Sequence, residues 1–298
     1  MVLSALTRRG RARGPMGARR RHGRWSGGLL FAVLAVVVSA VTQCTGGSLA
    51  LRRVDLRVLV LNDANYPTVS AIRDELKLEG VPYTEIDLSA AGRQQITTEF
   101  LSSVTGSNPV TERAKFQAVV LPNDAPAQLS QAEKDALFAF EAKYGVRQVN
   151  AGQDAKPTLG LNWAQAPTGF IGPLDGLTGT VTAAGLASPF NYLNGPVPLE
   201  VGSYGYVATP LETQPAGATF TPLVTVPVAG SATPGSIVGV FAHDNRQEML
   251  VTVSMNSLQQ QFRLLGKGIV NWMTKGVHLG YDRNYLSVHV DDLYASDA

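Results

Sequence analysis

Two adjacent carboxylates near the carboxyl end, Asp291 and Asp292, are the residues whose type and spacing best suit chemistry. They close the segment Arg283-Asn284-Tyr285-Leu286-Ser287-Val288-His289-Val290-Asp291-Asp292. Leu286, Val288 and Val290 alternate with Ser287, His289 and Asp291, which is the period of a strand. The paired acids then fall at the strand's exit, the end where parallel sheets and barrels collect their active sites. Side chains on successive residues diverge. One carboxylate can hold a cation while the other takes a proton from water on that cation, the division that metal-assisted hydrolysis needs. His289 can bind the same metal or hydrogen-bond within the cluster. The spacing is equally that of an acidic turn after a strand, and the residues alone leave both readings open. A catalytic zinc usually needs three protein ligands. The histidines are His22, His243, His278 and His289, and no His-x-x-x-His pair occurs among them.

Such a site must be carried by a scaffold, and residues 54–152 read as alternating strand and helix. Leu56 to Leu61 is a near-continuous apolar run, as expected for a strand covered on both faces. Pro67 can open a helix, Val69, Ile72 and Leu76 continue it at helical spacing, and Gly80 can stop it. Val81 to Leu88 and Phe116 to Leu121 are further strand candidates. Ser130 and Glu133 have the spacing of a capping box, with Leu137, Phe140 and Tyr144 on one side of the helix and Gly145 at its end. Val146 to Val149 resumes a short strand. Strands separated by helices favour a parallel sheet. The loops Asn62-Asp63-Ala64-Asn65 and Pro122-Asn123-Asp124 lack the glycines of a dinucleotide fingerprint. They read as turn chemistry or as the wall of a ligand crevice.

The character changes at Pro157. From there to Gly235 only Asp175, Glu200 and Glu212 are charged. Short β-rich runs, Gly179 to Thr182, Tyr204 to Val207 and Phe220 to Val228, alternate with Gly and Pro turns, and no helix is expected. Among Trp163, Phe170, Phe190, Tyr192, Tyr204, Tyr206 and Phe220, most are expected in the core. A few exposed rings could stack on sugars, and the absence of charge suits a neutral polymer. Ile237 to Phe241 and Met249 to Val253 then read as strands joined at Asp244-Asn245. A helix is expected over 256–275, with Asn256 or Ser257 as its cap and Leu258, Phe262, Leu265, Ile269, Trp272 and Met273 on its apolar side. His243 and His278 are expected in structural or surface roles. The fold class expected is α/β. A Rossmann-like layered domain (54–152 and 236–276) carries an inserted β-rich, sandwich-like segment (153–235).

The amino end is of another kind. Eight arginines precede residue 25, and Leu29 to Val41 is an apolar run of 13 residues. A membrane-spanning helix needs about 20. Residues 1–50 therefore read as a secretory signal, with lipid attachment at Cys44 or an uncleaved membrane anchor as alternatives. Removing those arginines from the 25 basic residues leaves 17 against 23 acidic ones, a balance of −6. That excludes the broad positive field that draws nucleic acid. Cys44 is the only cysteine, so neither an intrachain disulfide nor a thiolate metal site can form. No Gly-x-Ser-x-Gly occurs, which argues against an α/β-hydrolase nucleophile.

The stretch Asn284 to Asp292 resembles the start of the catalytic domain in microbial exopolysaccharide deacetylases related to the fungal galactosaminogalactan deacetylase, distant relatives of the NodB-type enzymes. The order of segments is similar too: an export signal, an N-terminal region with α/β and β-rich parts credited with carbohydrate binding, then the deacetylase barrel. The resemblance implies that Asp291 is the catalytic base and Asp292 a ligand of a divalent metal, zinc in most members. It assigns His289 no firm role. It implies that 283–298 is only the first strand of a truncated barrel, since the family's metal-binding histidines and catalytic acid are missing. The expectation is therefore an N-terminal fragment of an extracellular, metal-dependent amino-sugar polymer N-deacetylase. This chain would be inactive by itself and would not hold zinc tightly. The alternative is a non-catalytic carbohydrate-binding module. Either would be secreted or attached to the cell envelope, with a polysaccharide as partner.

Overall fold

A computed structural model describes residues 51–63, 65–107 and 109–281. In chain order the strands are β1 (Leu51–Val54), β2 (Val58–Asn62), β3 (Tyr83–Asp87), β4 (Ser102–Thr105), β5 (Thr111–Ala114), β6 (Ala118–Leu121) and β7 (Arg147–Asn150). They continue as β8 (Gly169–Pro173), β9 (Thr178–Val181), β10 (Val197–Pro198), β11 (Tyr204–Ala208), β12 (Thr219–Val226), β13 (Gly235–His243), β14 (Arg246–Val251) and β15 (Val253–Ser254). The α-helices are α1 (Pro67–Glu79), α2 (Thr98–Leu101), α3 (Gln131–Tyr144), α4 (Ala183–Ala187) and α5 (Gln260–Met273). The fold is mixed α/β.

Twelve strands share one sheet, whose main path runs β10-β9-β12-β13-β14-β7-β6-β2-β3, with β11 joining β13, β15 and β8. The stretch β14-β7-β6-β2-β3 is parallel throughout. At β14 the pairing changes, because β13 runs antiparallel to it. One strand thus belongs to both patterns. The remaining strands, β1, β5 and β4, form a small separate sheet.

Residues of β2 show why the parallel part is layered. Its side chains alternate between faces, and all five of its residues are buried. Val58 and Val60 join a core with Val69, Ile72 and Leu76 of α1 and Phe262, Leu265 and Ile269 of α5. Leu59 and Leu61 face the other way, into a core with Leu137 and Phe140 of α3. A third, smaller core gathers Leu159, Leu161, Phe241 and Leu250 under the loop that follows β7.

The helix boundaries follow from local chemistry. Pro67 stands at the start of α1, and Gly80 ends it at φ 77°. Ser130 and Glu133 form the capping box of α3, and Gly145 stops that helix at φ 63°. Asp244 and Asn245 join β13 to β14 with φ of 45° and 59°, the two left-handed residues of a hairpin turn that matches strand twist.

The structure departs from the sequence reading in three places. The last helix starts at Gln260, not at 256. Asn256 Oδ1 accepts from the Leu258 and Gln259 amides at 2.9 and 3.2 Å, so it shapes the approach turn and leaves Leu258 outside the helix and exposed. Glu200 Oε2 instead meets the Gln260 amide at 2.6 Å. A short helix, α4, interrupts the β-rich stretch, capped by the Thr182 hydroxyl on the Gly185 amide at 3.1 Å. The small sheet had no apolar period to announce it: all four residues of β1 are exposed.

Among the described residues no helix is long and apolar enough to cross a membrane. The run Leu29 to Val41 and Cys44 lie outside them.

Candidate functional site

His289, Asp291 and Asp292 lie outside the described residues. Among the residues described, no group of three or more His, Cys, Asp or Glu side chains is placed to hold a metal ion.

One cleft stands where the loops leaving β2, β7 and β14 meet β11 and β15. It has a volume of about 230 Å³ and is walled by Tyr66, Tyr204 and Tyr206, with Asn65 and Ser254 offering polar groups. Each ring is held by its own local chemistry. Tyr66 is the N-cap of α1, and its hydroxyl accepts from the Asn123 side-chain amide at 3.1 Å. The Tyr66 ring lies against Gly152, where a Cβ would collide with it. The glycine therefore lets the aromatic face line the cleft. Tyr204 and Tyr206 are two apart on β11 and so share a face. Their ring centroids are 6.3 Å apart at an interplanar angle of 80°. Pro173 and Ile171 sit opposite them on β8, and Ile171 and Tyr204 are about half exposed. The Thr68 hydroxyl accepts from the Met255 amide at 2.9 Å, which ties α1 to the segment after β15.

Acidic groups follow the same strand ends. Asp63, just after β2, accepts from the Asn65 amide and the Gln128 side chain, both at 3.1 Å. Asp124, after β6, pairs with Lys156 at 2.8 Å and accepts from Gln153 at 3.1 Å. Asp154, after β7, is exposed, and partial desolvation still raises its carboxyl above the usual range. Burial raises the Tyr206 phenol as well, and the Asp154 charge adds to that, followed by the Tyr204 and Tyr66 rings.

The aromatic residues of the low-charge segment divide between core and surface. Phe190 is fully buried, and Phe170 and Phe220 pack against core clusters. Trp163 and Tyr204 keep about half of their surface. The loops after β2 and β6 make the expected turns, with the Asp63 and Asn123 side chains accepting from the Asn65 and Ala125 amides. Asn65 and Tyr66 line the cleft while Asn123 braces Tyr66.

A second polar cluster was not foreseen as a unit. His243 Nε2 meets Glu248 Oε1 at 2.8 Å and Nδ1 meets Asp244 Oδ2 at 3.0 Å. Arg246 bonds Glu141 Oε2 at 2.8 Å through Nε and Glu248 Oε1 at 2.9 Å through Nη2, with its guanidinium 3.8 Å over the Phe138 ring. Asn150 donates to Glu248 Oε2 at 2.8 Å. Burial pushes the Glu141 carboxyl up to about 8. The hydrogen bond to Glu248 raises the His243 imidazole. This network joins α3, β7, β13 and β14. It keeps His243 in the structural role expected of it.

No protein-family model and no curated protein matches the sequence. Among solved structures the chain is similar to the crystal structure of "Agd3 a novel carbohydrate deacetylase", with a TM-score of 0.54 and 17% identity. The match covers 77% of this chain and 34% of that one, so this chain spans about a third of that structure's length. What the likeness shows is the fold: a mixed α/β architecture with a multi-stranded sheet and several helices, shared with part of a carbohydrate deacetylase structure.

Proposed function

We propose that the described region is the carbohydrate-binding part of an exported protein that acts on an extracellular amino-sugar polysaccharide, with N-deacetylation as the chemistry of the whole. The observation that carries this reading is the tyrosine-walled cleft. Aromatic rings offer flat apolar faces to the C–H faces of sugars, and tyrosine adds a polar tip. Asn65 and Ser254 stand beside the rings and offer polar groups to sugar hydroxyls. At about 230 Å³ the cleft is smaller than the roughly 300–1,000 Å³ pockets that enclose drug-sized ligands. It suits one ring of a chain that continues over the open rim.

The sheet supports the same reading. The order β3-β2-β6-β7-β14, with helices packed on both faces, supports reading this part as a doubly wound, Rossmann-like layer. Such layers bind ligands outside the carboxyl ends of their strands. Likeness to part of a carbohydrate deacetylase adds to it. In this proposal the described residues bind and position polymer. Any deacetylase chemistry belongs to the segment with Asp291 as base and with Asp292 and His289 toward a divalent metal, as the sequence resemblance implies.

The test is affinity electrophoresis of the full chain through gels carrying chitin-type, chitosan-type and galactosamine polymers. Retardation by at least one of them, lost in a Tyr204→Ala/Tyr206→Ala double variant that keeps its melting temperature, is the expected outcome. Unchanged mobility across the panel overturns the reading.

A further inference from the structure

Two cations meet at the far end of β7 from the tyrosine cleft. Ala151 and Gly152, just past the strand, line the cleft, whereas Arg147 is the strand's first residue. Arg147 and Lys275 line a separate open cavity of about 430 Å³. Ser188, Asn191 and Asn271 bring neutral polar groups to it, and no acid is among its lining residues.

Arg147 is half-buried and only partly used. Its Nε donates to Gln247 Oε1 at 2.8 Å and its Nη1 to the Trp272 carbonyl at 2.7 Å, with the guanidinium 4.8 Å from the centre of the Trp272 ring. These contacts fix its direction and leave Nη2 without a hydrogen bond among the described residues. Lys275 Nζ has no partner among them either. A Cβ on Gly145 would stand 3.5 Å from that Nζ, so the ammonium lies over the end of α3. Asp244 lines the adjoining cavity with Lys275 but is paired with His243 at 3.0 Å. Burial lowers the pKa of both cations, and the Arg147 charge lowers Lys275 further. The carboxyl ends of α3 and α5 favour positive charge nearby, which accounts for the placement and leaves the donors unused. A cation drawn partly out of water is costly when no opposite charge meets it.

We propose that this cavity is an oxyanion-binding site, in which Arg147 Nη2 and Lys275 Nζ hold a carboxylate or phosphate group. Charge-assisted donors of these two kinds are the usual partners of such groups. Both an acidic polysaccharide and a free anion present that chemistry. The site does not depend on the carbohydrate-binding reading of the tyrosine cleft.

The experiment is calorimetric titration of the full chain with inorganic phosphate, with a trimer of galacturonic acid and with the uncharged galactose trimer. The expected result is binding of at least one anion, weakened by added salt. Lys275→Gln should weaken it about fivefold with the melting temperature unchanged, and leave any binding of the neutral trimer as it was. Lys275→Arg should retain it, as should Arg263→Gln, which removes a charge from an exposed position of α5. Tighter binding of the acidic trimer assigns the site to a polysaccharide, and tighter binding of phosphate to a free anion. No binding of either anion, or an affinity that Lys275→Gln leaves unchanged or that Arg263→Gln lowers equally, overturns the inference and leaves the reading of the cleft untouched.

Discussion

The Tyr192 hydroxyl sits in the backbone ladder of α5 at Gly268. It accepts from the Gly268 amide at 2.9 Å and donates to the Leu264 carbonyl at 2.7 Å. Those two groups are the i and i−4 partners of an ordinary helix. Burial pushes the phenol up to about 12, so it stays protonated and able to donate. The Phe190 ring packs where a Gly268 Cβ would stand. Tyr192→Phe should cost about 1–2 kcal/mol of stability in urea unfolding. Gly268→Ala should destabilise too, because overpacking costs about 1–3 kcal/mol and outweighs the gain in helix propensity.

Glu133 holds together more than its own helix. Arg93 reaches it at 2.6 and 3.0 Å, and the amides of Ile96 and Ser130 donate to it at 3.1 and 3.0 Å. The Arg93 guanidinium, ahead of the backbone donors, holds its carboxyl down to about 2. A depressed folded pKa gives stability that is present above the unfolded value of 4.5 and lost as pH falls toward about 2. Glu133→Gln should cost about 2–3 kcal/mol near neutral pH and flatten the loss of stability on acidification. Urea midpoints at pH values on either side of that window measure both effects.

The buried network around Arg246 works in the opposite direction. Two carboxylates, Glu141 and Glu248, share one guanidinium, so a proton on Glu141 or His243 completes the balance of charge. Both groups are raised in the folded state, Glu141 to about 8 from 4.5 and His243 above 6.5. Their contribution is full below the unfolded values and is lost as pH rises through the folded ones. The melting temperature should therefore fall between mildly acidic and alkaline buffer, and Glu141→Gln should reduce that slope. Arg246→Ala strands two buried acids and should cost about 3–5 kcal/mol.

Gly152→Ala tests the Tyr66 wall of the cleft. Its new Cβ meets the Tyr66 ring, which is only half buried and can swing aside. The displaced ring narrows the cleft. Stability should drop by about 1–3 kcal/mol, while retardation on amino-sugar polymer gels should be largely lost. A variant that melts normally and still binds as tightly as the parent would show that the Tyr66 wall is not used.

Local signals in the sequence reached a good part of the scaffold. The apolar run of β2, the Ser130–Glu133 box, the stops at Gly80 and Gly145 and the turn at Asp244-Asn245 all depend on neighbours a few residues apart. Features made by distant partners stayed hidden. Arg93 meets Glu133 across 40 positions. Tyr66, Gly152, Tyr204 and Thr252 come together only once the sheet is built. The neutral, aromatic-bearing stretch after Pro157 hinted at surface rings, but nothing in it pointed to Tyr66. The start of α5 was misplaced because Asn256 can cap a helix or close a turn, and composition does not decide between them. The pair Asp291-Asp292, the strongest chemical signal in the sequence, falls beyond the described residues.

The switch of pairing at β14 ties the fate of the two halves of the large sheet together. Detaching β14 would strip hydrogen-bond partners from β7 on one side and β13 on the other, creating two bare edges at once. Heat or denaturant should therefore not peel the β-rich half away and leave the parallel half standing. A protein sewn along one such strand is expected to melt in a single transition, and limited proteolysis should find no stable piece of it ending between residues 153 and 245.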